Sequence, residues 1–275
     1  MGLPAGWGRA VAEACLLCAE MIPLRDENPR QGRAYVNTAL IAVNVAVWLV
    51  VWLWLWRVRD ALTLWLGVVP ARLLADPAGD GFTVLTSMFM HGGWQHLLGN
   101  MLFLYIFGDN VEDALGHGRY LGLYLLAGLA AAAAQVVVDP GSTIPMVGAS
   151  GAIGGVLGAY LVLYPRAPIV VLNPVFPLWF VFGVVLVFPA WLVVGEWFAW
   201  NLLSGAMSLS RPSAGGVAFF AHLGGFVLGL LAVRPFMFGR ERRRAKTWHG
   251  FRAPPRERLR AGEYRGGPRR DPWAW

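Results

Sequence analysis

The sequence predicts an all-α membrane protein in which six helices cross the bilayer. Of its 275 residues, 57% are hydrophobic and only 14% are charged, and the mean hydropathy is +0.52. A soluble domain of this length needs more charge to cover its surface. The apolar residues also fall in runs of about 20, the length that an α-helix needs to cross roughly 30 Å of hydrocarbon. Together these observations exclude a soluble globular domain.

Six segments have the composition of a membrane-spanning helix. They are residues 37–56, 94–111, 120–138, 148–164, 188–206 and 215–233. The fifth segment is the hardest to delimit, because the apolar stretch from Val175 is too long for one span and contains Pro177 and Pro189. We expect the part before Pro189 to lie in the membrane interface or to re-enter the membrane.

The distribution of charge predicts the orientation of the chain. An even number of spans places both termini on one side, and Lys and Arg crowd the segment from Arg240 to Arg270. Positive charge behind a span marks the cytoplasmic side and favours contact with anionic lipid over nucleic acid. We therefore predict a cytoplasmic N-terminal segment (1–36), a six-span domain (37–234) and a disordered basic cytoplasmic tail (235–275). Short loops favour a bacterial cytoplasmic membrane.

Cys15 and Cys18 form a lone CxxC near the N-terminus. A structural zinc ion needs about four ligands, and the neighbouring sequence does not supply the others. The sequence therefore predicts no metal site, no disulfide framework and no organic cofactor.

Polar residues inside the predicted spans need a reason, because they are costly in lipid. His96 and Asn100 lie in the second span, Ser150 begins the fourth, and His222 lies in the sixth. These three spans all run from the outside to the inside, so the four side chains can share one pocket in the outer leaflet. His96 and Asn100 are four residues apart and share a helix face.

These residue types are the ones that serine hydrolysis needs. A serine hydroxyl becomes a nucleophile when a base such as neutral His222 removes its proton. The oxyanion that forms on attack at an amide needs donors, which Asn100, His96 and the Ser150 backbone N–H can supply. Spacing alone leaves an alternative open, because a membrane serine most often bonds its own backbone and buried His and Asn often join helices.

Three motifs together resemble the rhomboid family. Residues 91–100 match HxxxxHxxxN, residues 148–151 match GxSG, and residues 221–229 match AHxxGxxxG. The motifs occur in the family's order on the second, fourth and sixth spans, and the resemblance covers about residues 21–234.

The resemblance implies a six-helix intramembrane protease that uses a Ser–His dyad. Its implied partners are membrane-protein substrates and the lipids of the membrane. It implies that Ser150 is the nucleophile and His222 the base. The roles it implies for other residues are oxyanion stabilisation by His96 and Asn100, substrate binding by Gly148, Ala149 and Gly151, and structural support by His91, Glu112 and Gly225.

Two positions depart from the family pattern. Phe82-Thr83 stands where many members have Trp-Arg in the first outer loop, so a loop-organising arginine is missing there. Gly154 stands where some members have an aromatic ring against which the histidine packs, so His222 must be held in another way. Glu196, an ionisable residue in the fifth span, has no assigned role.

Two other classes of function were weighed. A catalytically inactive relative that binds or escorts membrane proteins would be expected to lack Ser150 or His222, and both are present. A transporter or channel would be favoured by inverted repeats and matching broken helices, and the sequence shows neither.

Overall fold

The computed structural model of the protein describes residues 21–30, 32–173, 179–209 and 218–240. It is mostly helical (71%), which confirms the predicted all-α class. Cys15, Cys18, Pro177, the first residues of the predicted sixth span and the tail beyond Arg240 lie outside the described residues.

The elements follow one another along the chain with few long connections. The first half contains β1 (Pro23–Asp26), α1 (Tyr35–Leu53), α2 (Arg59–Leu66), α3 (Pro70–Ala75), α4 (Pro77–Asp80), α5 (Thr83–Thr86), α6 (Trp94–Phe103), α7 (Asp109–Leu115) and α8 (His117–Val138). The second half contains α9 (Ser150–Leu163), β2 (Pro168–Leu172), α10 (Trp179–Phe182), β3 (Val185–Pro189), α11 (Ala190–Leu209) and α12 (Phe219–Phe236). A π-helical turn, Leu104–Gly108, joins α6 to α7.

Three of the described helices, α1, α8 and α12, are long and apolar enough to cross a membrane. Helix α9 is apolar but has only 14 residues. Helix α11 has 20 residues, and Glu196, Asn201 and three tryptophans lower its mean hydropathy. The protein is therefore an integral membrane protein by these helices, and the count of six spans stays a prediction.

Helix α9 forms the centre of the bundle. Its ten residues from Gly151 to Tyr160 are all buried, as expected for a helix that is apolar on every side. Its glycines bring the neighbouring helices to backbone contact. A Cβ atom on Gly225 of α12 would overlap the carbonyl oxygen of Gly151, and one on Gly229 would overlap that of Gly155. This small-residue packing holds α9 and α12 close together.

A three-stranded antiparallel sheet, in the order β1-β2-β3, is an element that the sequence did not predict. In β2 and β3, Ile169 pairs with Phe188 and Val171 pairs with Leu186. The described part of the segment before Pro189 forms α10 and strand β3, and its interfacial or re-entrant position stays a prediction. Short apolar runs do not distinguish a strand from a buried helix by periodicity, which is why the strands were missed.

The loop between α1 and α6, which the sequence predicts to lie outside, is organised by Arg72. Its guanidinium donates to the Asp80 carboxylate at 2.8 Å and to the carbonyl oxygens of Leu64 and Gly67 at 2.6 and 3.2 Å. The same loop pairs with the segment before α9, because Val68 and Met146 form an antiparallel bridge. These contacts fix the chain that leads into α9.

Candidate active site

Ser150 and His222 meet where α9 and α12 begin. Ser150 is the first residue of α9, and His222 lies in the first turn of α12. The Ser150 hydroxyl oxygen is 2.8 Å from Nε2 of His222. The close glycine packing of the two helices brings the side chains within hydrogen-bonding distance. The structure thus brings together the two residues that the sequence singled out on separate spans.

The segment before Ser150 turns sharply at Gly148. Gly148 has a φ of +124°, which side-chain-bearing residues rarely adopt. Its backbone N–H donates to the carbonyl oxygen of Ser87 at 2.8 Å. A Cβ atom at this position would lie 2.6 Å from Nε2 of His96 and 3.5 Å from Nδ2 of Asn100. Glycine is therefore required here by both conformation and space.

His222 is held from α11 rather than from α9. Its Nδ1 atom is 2.5 Å from Oδ1 of Asn201, and its ring lies 5.8 Å from that of Trp197. At Gly154, the position where some family members carry an aromatic ring, a Cβ atom would be only 2.6 Å from the His222 carbonyl oxygen. The backbone of α12 fills that space, so the supporting ring comes from the other side.

Asn100, His91 and His96 form a second polar group beside the pair. The Asn100 amide nitrogen is 2.9 Å from Nε2 of His91, and the rings of His91 and His96 meet edge to face at 5.2 Å. His91 lies in the loop before α6, where burial lowers its pKa to about 4, with a smaller contribution from His96. The His91 ring is therefore neutral near pH 7.

A cavity of about 580 Å³ opens beside the pair. Ser150 and His222 line it, together with His96, Asn100 and Trp197. The remaining wall is largely apolar and comes from α6, α8, α9, the turn Ser87–Phe89 and the segment before α9. It includes Met88, Phe103, Ala131, Met146, Val147 and Ile153. The space suits an extended peptide segment with small and apolar side chains.

The predicted substrate-binding residues differ in their access to this cavity. Gly148 and Gly151 line it. Ala149 is completely buried and is not among the residues that line it.

Glu112 has the contacts of a structural residue. It is 1% exposed, and its carboxylate accepts hydrogen bonds from the backbone N–H groups of Val36 and Asn37 at 2.9 and 2.7 Å. A carboxylate at the first turn of a helix accepts hydrogen bonds from backbone N–H groups that have no partner within the helix, and its negative charge interacts favourably with the helix dipole. The Oε1 atom of Glu112 also lies 2.5 Å from Nδ1 of His117. Glu112 therefore fastens the start of α1 to α7 and α8.

Sequence reasoning missed Asn201 and Trp197 as neighbours of His222, although it did imply that something other than residue 154 must hold the ring. Asn201 is a buried amide inside an apolar helix, which is the signal that could have drawn attention to it. Glu196, the ionisable residue that the sequence did single out, lies half-buried on the same helix. Among the described residues, no group of three or more His, Cys, Asp or Glu could hold a metal ion.

A serine–histidine pair beside a cavity, inside a bundle of apolar helices, is an arrangement that membrane-embedded serine hydrolases require. The rhomboid domain family matches residues 78–237, more than half of the chain. This protein belongs to the rhomboid family.

Curated relatives agree with this assignment. The chain is 31% identical over 122 residues to the putative rhomboid protease YdcA of Bacillus subtilis, covering 44% of this chain and 61% of the relative. It is 30% identical over 200 residues to the mitochondrial Rhomboid protein 1 of Saccharomyces cerevisiae, covering 70% of this chain and 51% of the relative. A shorter match, 43% over 83 residues, is to the rhomboid protease GluP of Bacillus subtilis, covering 30% of this chain and 16% of the relative.

These matches span about half the length of the first two relatives and less of the third. Relatives named as proteases support intramembrane protease activity for this family in general.

Proposed function

We propose that this protein is an intramembrane serine endopeptidase that hydrolyses peptide bonds in or near the membrane-spanning segments of other membrane proteins. The observation that carries the proposal is the 2.8 Å contact between the Ser150 hydroxyl and Nε2 of His222 at the wall of the cavity. A serine that only packs a helix behaves differently: the Ser208 hydroxyl donates to the Gly205 carbonyl of its own helix at 2.7 Å.

In the proposed first step, Nε2 of His222 takes the hydroxyl proton while the Ser150 oxygen attacks the substrate carbonyl carbon. The imidazolium then gives that proton to the leaving amine as the C–N bond breaks, which leaves an ester on Ser150. A water molecule, deprotonated by the same nitrogen, hydrolyses the ester and returns the proton to Ser150. General-base help of this kind is worth roughly 10²–10⁴-fold in rate.

The oxyanion formed in both steps needs donors that are already in place. An amide nitrogen carries two hydrogens, and Asn100 uses one on His91, so its second can point at the oxyanion. The backbone N–H of Ser150 is at the first position of α9, where a helix supplies no internal partner. His96 lines the same wall and is the third candidate donor. Each donor is expected to contribute about 10²–10³-fold.

The apolar wall and the polar end of the cavity suggest how a substrate binds. A membrane-spanning segment has to unwind locally before its backbone can reach Ser150, so small and helix-destabilising residues near the cleaved bond are favoured. Gly148 and Gly151 line the cavity, so the substrate backbone can contact them there. We propose membrane proteins with one or several spans as substrates, cut from the non-cytoplasmic side, with both termini of the enzyme in the cytoplasm.

The test is cleavage of a labelled single-span substrate by the purified protein in liposomes. Ser150→Ala and His222→Ala are each expected to lower the rate by at least about 10³-fold, because they act as one unit. Ser208→Ala, which removes a hydroxyl bonded only to its own helix, is the matched control and should cleave like the wild type. EDTA is expected to have no effect.

If Ser150→Ala cleaves the substrate at the wild-type rate, the assignment of the nucleophile is refuted. If the wild type cuts none of several substrates in several lipids but still binds them, the protein is an escort factor of the kind that the sequence left as the alternative.

A further inference from the structure

The second ring nitrogen of His222 has its own partner on a different helix. Nδ1 of His222 is 2.5 Å from Oδ1 of Asn201, which is 5% exposed and lies on α11. We propose that Asn201 is a positioning residue that fixes the tautomer and the orientation of His222, so that the site works as a Ser150–His222–Asn201 triad. This inference rests on the proposed function and deepens it.

The direction of the hydrogen bonds follows from the backbone of α11. The Asn201 amide nitrogen donates to the carbonyl oxygen of Trp197 at 2.8 Å. A carbonyl oxygen only accepts, so the amide NH₂ must face Trp197 and Oδ1 must face His222. Oδ1 in turn only accepts, so Nδ1 of His222 must carry a hydrogen. A neutral ring protonated on Nδ1 has its lone pair on Nε2, the atom that faces the Ser150 hydroxyl.

The opposite arrangement leaves buried atoms without partners. If Asn201 were turned over, its oxygen would face the Trp197 carbonyl oxygen, acceptor against acceptor. If the hydrogen of His222 were on Nε2, the lone pair of Nδ1 would face Oδ1, and the ring could no longer accept the proton of Ser150. Such unsatisfied buried contacts are rare in folded proteins because they carry the full desolvation penalty.

Asn44 supplies an internal comparison. It is a fully buried amide on α1, and its nitrogen donates to the Leu40 carbonyl oxygen at 2.8 Å, the same four-residue bond that Asn201 makes. The Oδ1 atom of Asn44, however, has no hydrogen-bond partner among the described residues. The backbone bond therefore does not require a partner for Oδ1, and the contact of Asn201 with His222 is specific to the site.

Trp197 supports the same ring from one turn earlier on α11. Because Asn201 and Trp197 are four residues apart, they lie on the same face of the helix. Asn201 contacts Nδ1 at the edge of the His222 ring. Trp197 packs against the same ring with a distance of 5.8 Å between the ring centres. The orientation of the general base thus depends on the position of α11 relative to α9 and α12.

The experiment measures kcat and KM for Asn201→Ala in liposomes, beside Asn44→Ala as the matched control. We expect Asn201→Ala to lower kcat about 10- to 100-fold, a part of the roughly 10²–10⁴-fold that a general base supplies, with KM nearly unchanged. Asn44→Ala removes a similar amide bond far from the site and should leave kcat at the wild-type level. Asn201→Asp, with one carboxyl oxygen protonated and donating to the Trp197 carbonyl oxygen, keeps an acceptor opposite Nδ1 and should recover most of the lost rate.

A second readout does not depend on activity. The ¹⁵N spectrum of histidine-labelled protein distinguishes the two neutral tautomers, and the His222 signal is identified by its loss in His222→Ala. The wild type should be protonated on Nδ1, and Asn201→Ala should show a mixture.

The inference is overturned if His222 of the wild type is protonated on Nε2, or if Asn201→Ala keeps the wild-type kcat while Ser150→Ala is inactive. Full activity of Ser150→Ala would instead overturn the proposed function, so the two failures are distinguishable.

Discussion

At the scale of single residues, the contact between Asn100 and His91 determines which nitrogen of the His91 ring accepts a hydrogen bond. The amide nitrogen of Asn100 only donates, so Nε2 of His91, 2.9 Å away, must accept and carry no hydrogen. The pKa of about 4 that burial gives His91 agrees with this neutral form. A neutral His91 therefore leaves Asn100 oriented toward the cavity at physiological pH.

Asp26 is a half-buried carboxyl group near the opposite end of α9. Its Oδ2 atom accepts hydrogen bonds from Asn110 and from the hydroxyl of Tyr160, at 2.5 and 2.9 Å. Burial raises the pKa of Asp26 to about 8, despite these two hydrogen bonds. The folded protein therefore holds a proton here at pH 7, whereas the unfolded chain, with a pKa near 3.8, does not.

Stability should consequently fall as the pH rises from about 4 to 8, because the unfolded state loses its proton first. Asp26→Asn replaces the titratable carboxyl group with an amide that does not titrate. The unfolding temperature of the variant relative to that of the wild type should therefore rise across that range and level off above pH 8. The measurement is the unfolding temperature in detergent at pH 5 and pH 8. Asp60→Asn, whose side chain is 90% exposed, is the control and should show no such trend. An equal shift of Asp26→Asn at both pH values would contradict the prediction.

At the scale of elements, the contact between α9 and α12 sets the distance between Ser150 and His222. Gly225→Ala would place a methyl group against the Gly151 carbonyl oxygen, where there is no room. The helices must move apart, at a cost of about 1–3 kcal/mol, and the hydrogen bond between the pair should lengthen. We expect a lower unfolding temperature and at least about a tenfold loss of cleavage, since a small displacement of reacting groups is costly.

The matched control is Gly195→Ala on α11, because a Cβ atom there meets nothing within 4 Å. Alanine favours a helix over glycine by up to about 1 kcal/mol, so this variant should be as stable as the wild type or more so. If both variants lose cleavage equally, tight packing of α9 and α12 is not what positions the pair.

The outer loop gives a second test at this scale. Arg72 organises this loop in place of an arginine at positions 82 and 83, since it bonds Asp80 and three backbone carbonyl oxygens. Arg72→Ala should loosen the loop, and limited proteolysis should cut it faster. Arg59→Ala is the control, because Arg59 bonds only its exposed neighbour Asp60 among the side-chain partners described. Equal resistance of both variants to proteolysis would show that Arg72 does not organise the loop.

These elements show what a sequence can and cannot predict. The motif residues of α6, α9 and α12 were predictable, because their order and spacing are themselves the signal. Asn201 was not, because its contact with His222 depends on the rotation of α11 about its own axis. Arg72 was not, because all its partners except Asp80 are backbone carbonyl oxygens, which no side-chain pattern reveals.

At the scale of the whole molecule, helix α9 runs from the candidate active site at its first residue to the three-stranded sheet near its last turn. Ser150 stands at one end, and Tyr160, bonded to Asp26 of the sheet, stands near the other. A 14-residue helix is about 21 Å long at 1.5 Å per residue, shorter than the roughly 30 Å of hydrocarbon. If the sheet end lies at the cytoplasmic interface, Ser150 lies roughly 10 Å below the outer surface, which agrees with the outer-leaflet pocket that the sequence predicts.

That arrangement requires opposite sides of the membrane for the two ends of α8. Gly141, after α8, and Gly118, near its start, are both exposed, and a Cβ atom at either position meets nothing within 4 Å. In a chain with Cys15 and Cys18 changed to serine, Gly141→Cys should react with a membrane-impermeant thiol reagent added to intact cells. Gly118→Cys should react only after the cells are opened. Labelling of Gly118→Cys in intact cells, with Gly141→Cys protected, would reverse the orientation and place the cavity of Ser150 on the cytoplasmic side.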